Sequence, residues 1–285
     1  MITVERISDL RARCDEARRE GKTVGFVPTM GYFHEGHLAL MREARAHHDL
    51  VVVSLFVNPT QFGAGEDLEK YPRDPEGDAH AVAAVGVDIL FTPHVDEMYP
   101  AGARTRVAVD GITEDLCGAT RPHHFGGVAT VVTKLFSSVG PCTTYFGAKD
   151  FQQVVVVRRL VADLNLPVEI VGVPTVREVD GLAMSSRNAY LSAEERQAAT
   201  ALFRALEGAR KTASDGERDP SRIREAALDL LSAEPLVRVD YVEVRRADDL
   251  AAVERIESDV EYVVAVAAFV GVTRLIDNIT FTGET

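Results

Sequence analysis

Two histidines stand three residues apart in the stretch Thr29-Met30-Gly31-Tyr32-Phe33-His34-Glu35-Gly36-His37, with glycines at 31 and 36. Such a group admits three chemistries: a pair of metal ligands, a cradle for phosphate, or a tight turn. The metal reading is the weaker, because helix-borne zinc histidines favour a spacing of four and need a further ligand, and no obvious third one is near. Phosphate suits both residue types. Glycines let the backbone approach an anion closely, and imidazoles donate hydrogen bonds and can become cationic.

Three other groups carry comparable chemistry. Asn58 and Gln61, in Phe56-Val57-Asn58-Pro59-Thr60-Gln61-Phe62, are neutral amides that donate and accept, which fits hydroxyls or a carboxylate; alone, Asn58-Pro59 reads as a plain turn. In Gly147-Ala148-Lys149-Asp150-Phe151-Gln152-Gln153, Lys149 offers a point charge to phosphate. Asp150 there reads as a helix N-cap, and Gln153 lies one turn into that helix. Met184-Ser185-Ser186-Arg187 joins two hydroxyls to a guanidinium, a compact group for phosphate oxygens. The adjacent His123 and His124 point different ways, so one of them is expected to be packing or solvated. Tyr71, Arg73, Asp78, Glu66 and Asp67 suit supporting or loop roles. Neither a P-loop nor a G-x-G-x-x-G signature occurs, so those two nucleotide chemistries lack their usual support.

These groups need elements to hold them. Helices are expected over residues 4–20, 37–48, around 75–85, and 151–164, with strands at 23–28, 50–57, 88–91, 143–146 and 168–173. Apolar strands alternating with helices predict a parallel sheet covered on both faces, a Rossmann-like, doubly wound α/β domain. The stretch 29–37 then falls where a strand passes into a helix, and ligands of open α/β sheets bind beyond the carboxyl ends of the strands. A helix starting there would present unpaired N–H groups and the positive end of its dipole, which favours phosphate over metal. Beyond residue 176 the pattern changes. Helices at 192–211 and 220–232 precede strands at 239–244 and 260–279, the last interrupted at Gly271, which predicts a smaller C-terminal α+β unit. The expected division is 1–176 and 177–285.

The chain has 285 residues, 46% hydrophobic and 26% charged, the make-up of a soluble globular protein. No apolar run reaches the roughly 18 residues a membrane helix needs, and the N-terminus lacks the features of a secretory signal, so a cytoplasmic location is expected. Cys14, Cys117 and Cys142 are odd in number and far apart, which fits inert thiols in a reducing compartment. A net charge of -13 argues against nucleic acid as a partner, since phosphate backbones are held by clustered Lys and Arg.

Taken together, the motifs resemble a known family. Pro28-Thr29-Met30-Gly31 with His34-Glu35-Gly36-His37 is similar to the phosphate-binding signature of the nucleotidylyltransferase superfamily. The stretches 56–62, 146–153, 184–187 and Gly271-Val272-Thr273-Arg274-Leu275-Ile276-Asp277-Asn278 resemble those of its pantoate–β-alanine ligase family. The resemblance covers essentially the whole chain. It implies an AMP-forming ligation, with ATP and pantoate giving pantoyl adenylate and pyrophosphate, and the amine of β-alanine then displacing AMP. It implies an ATP site of Met30, Gly31, Tyr32, Phe33, His34, Glu35, Gly36, His37, Gly147, Ala148, Lys149, Asp150, Val176, Met184, Ser185, Ser186 and Arg187. Pantoate would be held by Gln61 and Gln153, with Asn58 beside them, and Gln61 would also lie near β-alanine. His37 matches the family's proton donor; His34, Lys149, Ser185, Ser186 and Arg187 would stabilise charge around the transferring phosphoryl group. Mg²⁺ would accompany ATP with no protein metal site, and a homodimer is implied. The chain departs from the family at Tyr32-Phe33, where Ala-Leu is commoner, and at Ala148, where Glu is frequent. A sister enzyme whose product retains AMP, and a non-catalytic nucleotide binder, are the competing readings; the latter leaves Gln61, Gln153 and Lys149 without a joint purpose.

Overall fold

The computed structural model describes residues 1–283. In chain order the first part holds β1 (Ile2–Val4), α1 (Ile7–Arg19), β2 (Val24–Thr29), α2 (Glu35–His47), β3 (Leu50–Leu55), α3 (Pro75–Val85), β4 (Ile89–Phe91), the single turns α4 (Val95–Met98) and α5 (Cys117–Thr120), α6 (His124–Val139), β5 (Cys142–Gly147), α7 (Phe151–Asp163) and β6 (Val168–Val173). The six strands form one sheet in the order β1-β4-β3-β2-β5-β6, with every neighbouring pair parallel. Alternation along the strands divides the burial between two faces. Val27, Val51, Val53 and Leu90 pack with Leu40, Met41 and Ala44 of α2 and Val82 of α3, while Phe26, Val52 and Ile89, one residue out of phase, are buried from the opposite face. This is the doubly wound α/β architecture expected from the apolar strands.

The second part carries α8 (Ala193–Ala198), α9 (Ala201–Ser214), α10 (Pro220–Ser232), β7 (Val237–Arg246), β8 (Glu261–Val270) and β9 (Thr273–Thr282). Its strands pair antiparallel in sequence order. Leu202, Ala205, Leu206 and Ala209 follow one face of α9, and Ile223, Ala227 and Leu231 one face of α10; both stripes share a core with Val242, Val264, Val266 and Ala268 of the sheet. The chain groups into two compact units. One comprises Met1–Ala148 with Val156–Pro174; the other comprises Lys149–Val155 with everything from Thr175. The opening turns of α7 therefore cluster with the second unit, a feature that a cut of the sequence at 176 does not capture.

Three elements differ from the sequence pattern. The helix expected from residue 4 starts at Ile7, because Ile2-Thr3-Val4 pairs as an edge strand with β4; three residues are too few to show a period. The helix α6 had no helical signature. Its sequence is rich in glycine and β-branched residues, which are poor helix formers, and its buried face is wide, leaving only the narrow strip of Gly126, Thr133, Lys134 and Ser137 toward the outside. The helix expected over 192–211 is two, α8 ending at Ala198 and α9 beginning at Ala201, with a turn at Ala199 and Thr200 between them.

Met41, fully buried between α2 and the sheet, gives a direct check on this packing. Met41→Ala should lower the unfolding free energy of the chain by about 2–5 kcal/mol in denaturant titration; a change within about 0.5 kcal/mol would contradict the placement.

Candidate active site

The loops after β2, β3 and β5 leave the same end of the sheet, and strand order reverses between β2 and β5: the chain moves to β3 on one side and to β6 on the other. That point is where open α/β sheets bind ligands. Here the hydrogen-bonded ladder between the two strands is short, covering only Gly25↔Thr143 and Phe26↔Thr144. Pro28 supplies the cause. The carbonyl of Thr29 accepts from Phe56 N on the β3 side, so Pro28, one residue earlier, directs its backbone toward β5, where it has no N–H to give. A proline in a central strand ends the hydrogen-bonded ladder near the carboxyl ends of β2 and β5, at the switch point itself.

The chain then turns through two left-handed residues, Gly31 at φ +87° and Tyr32 at φ +54°. A Cβ on Gly31 would stand 2.9 Å from Asp78 Oδ2 and 3.1 Å from Leu55, so glycine is required both sterically and conformationally. Asp78, from α3, accepts from Tyr32 N and Phe33 N, each at 2.7 Å. These bonds hold the strained turn against the cost of φ > 0 at Tyr32. Burial pushes the Asp78 carboxyl above its usual range, while the two N–H donors pull it back down.

His34 and His37 form a reciprocal capping box at the start of α2. His34 Nδ1 accepts from Gly36 N at 3.2 Å, and His37 Nδ1 accepts from His34 N at 3.4 Å. The rings lie 4.1 Å apart between centroids, and Phe33 meets His37 edge-on at 5.5 Å. This corrects the expectation of open helix N–H groups, because the N–H groups of His34 and Gly36 are taken up by the rings. Since each Nδ1 is an acceptor, the ring proton of each neutral histidine sits on Nε2.

Asn58 sits at the end of β3 and is 1% exposed. Its Nδ2 donates to Gln61 Oε1 at 3.1 Å and to the Gly127 carbonyl at 3.2 Å. Its Oδ1 accepts from Thr60 Oγ1, Thr60 N and Tyr99 OH. With its donors and acceptor engaged inside the protein, Asn58 orients Gln61. The Gln61 amide has its oxygen committed and directs Nε2 at Met30 Sδ, 3.0 Å away, a weak acceptor that a carboxylate or hydroxyl would displace. The Gln61 carbonyl accepts from Arg121 Nη2 at 3.3 Å and pairs with His124 Nδ1 at 3.0 Å. Arg121 in turn is clamped by Glu66, whose carboxyl is held below its usual range by that guanidinium. Gly127 lets α6 approach this turn, as a Cβ there would fall 2.4 Å from the Thr60 carbonyl. Tyr99 had no sequence signal; for Arg121 and Gly127 the cue was a polar, glycine-bearing stretch at 121–127 before an apolar run.

In the second unit, Val176 and Met184 face each other across a short hairpin, Met184 N donating to the Val176 carbonyl at 3.0 Å. Ser185 caps the following 3-10 turn, its hydroxyl accepting from Arg187 N, with Ser186 buried and Arg187 half-buried. Lys149 and Asp150 lie in the 3-10 turn Ala148–Asp150. Lys149 and Ser185 line one small cavity, of about 10 Å³, with Asn188 and Asp277. Gln153 is half-buried in the first turn of α7. Among the described residues no cluster of three or more His, Cys, Asp or Glu is arranged to hold a metal ion, and no helix is long and apolar enough to cross a membrane.

Fold and site together define a doubly wound α/β protein whose loops after β2 and β3 meet at the switch point, Gln61 against Met30. The family profile described as pantoate-beta-alanine ligase matches residues 2–280, and the chain belongs to that family. The pantothenate synthetase of Pelotomaculum thermopropionicum is 53% identical over 278 residues, 98% of each chain. The crystal structure of pantothenate synthetase from Thermus thermophilus superposes with a TM-score of 0.92 at 49% identity, covering 98% of this chain and 99% of that one. A pantoate-beta-alanine ligase from Francisella tularensis, described as complexed with beta-gamma ATP and beta-alanine, gives 0.81 at 31% identity over 100% of this chain and 98% of its own.

The capping geometry makes a spectroscopic prediction. In ¹⁵N spectra of histidine-labelled protein, neutral His34 and His37 should carry the proton on Nε2, whereas neutral His124, facing a carbonyl, should carry it on Nδ1. An Nδ1–H signal from His37 would contradict the capping box.

Proposed function

We infer that the chain condenses pantoate with β-alanine at the expense of ATP, through a pantoyl adenylate, releasing pyrophosphate and then AMP. The observation that carries the reading is the family match along almost the whole chain, and the switch point of the sheet supplies chemistry that fits it. A carboxylate attacking the α-phosphorus brings two anions together, and negative charge grows on the equatorial oxygens and on the leaving pyrophosphate. Positioning and charge neutralisation are then the main requirements.

We assign ATP to Met30, Gly31, Tyr32, Phe33, His34, Glu35, Gly36 and His37, together with Gly147 to Asp150, Val176, and Met184 to Arg187. The Nε2–H groups of His34 and His37 would donate to the phosphoryl oxygens, with His37 protonating the departing oxygen. Lys149 and Arg187 would neutralise the remaining charge and Ser185 and Ser186 add hydrogen bonds. Gln61, its Nε2 held ready against Met30 Sδ, would bind pantoate and lie beside β-alanine, and Gln153 would bind pantoate. Asn58 belongs to this site as the group that orients Gln61. A divalent ion suits the ATP dependence of the family, and we propose Mg²⁺, carried on the triphosphate by phosphate oxygens and water. Free thiols at Cys14, Cys117 and Cys142 fit the proposed cytoplasmic location, and the family resemblance supports a homodimer.

Exchange of labelled pyrophosphate into ATP tests the reading. Exchange should appear with pantoate and Mg²⁺ alone and be absent with β-alanine alone. No exchange with pantoate, together with no AMP when both acids are present, would overturn it.

A further inference from the structure

One buried ion pair in the second unit has no part in the chemistry described above. Asp277 lies within β9, in Leu275-Ile276-Asp277-Asn278-Ile279, and is 3% exposed. Arg177 grips it bidentately, Nη1 to Oδ2 at 2.6 Å and Nη2 to Oδ1 at 3.0 Å. The same guanidinium donates to the Gly181 carbonyl at 3.1 Å and the Asn278 carbonyl at 3.2 Å, and lies 4.2 Å over the Phe203 ring. Asn278 N donates to Asp277 Oδ1 at 2.8 Å, and Asn278 Nδ2 donates to the carbonyl of Lys149 at 2.8 Å.

Desolvating a carboxylate and a guanidinium is costly, and an apolar pair of similar size would often serve stability as well. The placement points to another use. Arg177 follows Val176 and pairs with Ala183, the neighbour of Met184, so the guanidinium fixes the root of the hairpin that leads into Ser185, Ser186 and Arg187. On its other side, Asn278 fixes the turn that bears Lys149. All the residues of this unit assigned above to ATP are attached to one small polar frame.

We propose that Arg177, Asp277 and Asn278 are positioning residues for adenylation, the ion pair aligning Asn278 so that its amide holds the Lys149 backbone and sets where the Lys149 ammonium meets the phosphates. This rests on the assignment of Lys149 to ATP. A side-chain amide is needed at 278 because its neighbour is a carbonyl oxygen, to which only a donor can bond.

A double-mutant cycle tests it, read by pantoate-dependent pyrophosphate exchange. Asn278→Ala should lower kcat/KM for ATP by about 10–100-fold, with the KM for pantoate within about twofold of wild type. Asn278→Asp, equal in size but without the donor, should lose as much, and provides the measurement if the alanine variant folds poorly. Lys149→Ala should lose about 10²-fold or more, and Lys149→Ala/Asn278→Ala should be no slower than Lys149→Ala within about twofold. A fall in folded fraction, or a role remote from Lys149, would instead multiply the two losses, and that result overturns the proposal. So does full activity in Asn278→Ala or Asn278→Asp. Absence of exchange in the wild type would overturn the functional reading instead, and an undiminished Lys149→Ala would remove the assignment on which this frame depends.

Discussion

A proline in a central strand cannot complete its ladder, and the switch point of the first unit lies where that ladder stops. Pro28 has no N–H for β5, so β2 and β5 pair only through Gly25 and Phe26. Beyond that point β2 stays bonded to β3 alone, up to Thr29↔Leu55. The residues that follow turn at this end of the sheet. They do so through Gly31 and Tyr32, pinned by Asp78, and deliver the start of α2 to the carboxyl ends of the strands. A helix start at such a place normally offers bare N–H groups to an anion. Here two imidazoles cap the helix through Nδ1, which places the proton of each neutral ring on Nε2.

The polar residues fall into those aimed at a ligand and those that hold the first kind still. Asn58, Asp78, Tyr99, Arg121 and Asp277 belong to the second kind, and each is tied to protein partners by two or more hydrogen bonds or an ion pair. Tyr99 illustrates the logic, since burial raises its phenol above the usual value and keeps it a donor to Asn58 Oδ1. A side chain with every polar atom satisfied internally is a poor ligand and a good support. Gln61 differs, because its oxygen is committed and its nitrogen rests on a thioether.

Much of this was legible in the sequence, and the reasons divide cleanly. The run Leu50-Val51-Val52-Val53 is apolar on both faces and reads as an inner parallel strand; the helix expected over 220–232 starts where the structure puts α10, with Asp219 as its cap and Pro220 at its first position. The histidine stretch could be placed at a strand end for the same reason. The sequence stretch did not reveal that Asn58 faces inward, since an amide that binds a ligand and one that binds protein have the same local pattern. Nor could it pair Arg177 with Asp277, one hundred positions away. A charged residue and an amide in the middle of an apolar strand, Ile276-Asp277-Asn278-Ile279, were the one available cue, and they named no partner.

The central claim is that the acid is activated on the α-phosphorus of ATP, and oxygen bookkeeping addresses it most directly. Attack by a carboxylate oxygen makes a C–O–P bridge, and displacement by the amine breaks its C–O bond, so that oxygen leaves with AMP. With pantoate carrying ¹⁸O in both carboxylate positions, turnover with ATP and β-alanine should place one labelled oxygen in AMP and leave the other in the amide carbonyl. Unlabelled AMP, or label in inorganic phosphate, would contradict the account.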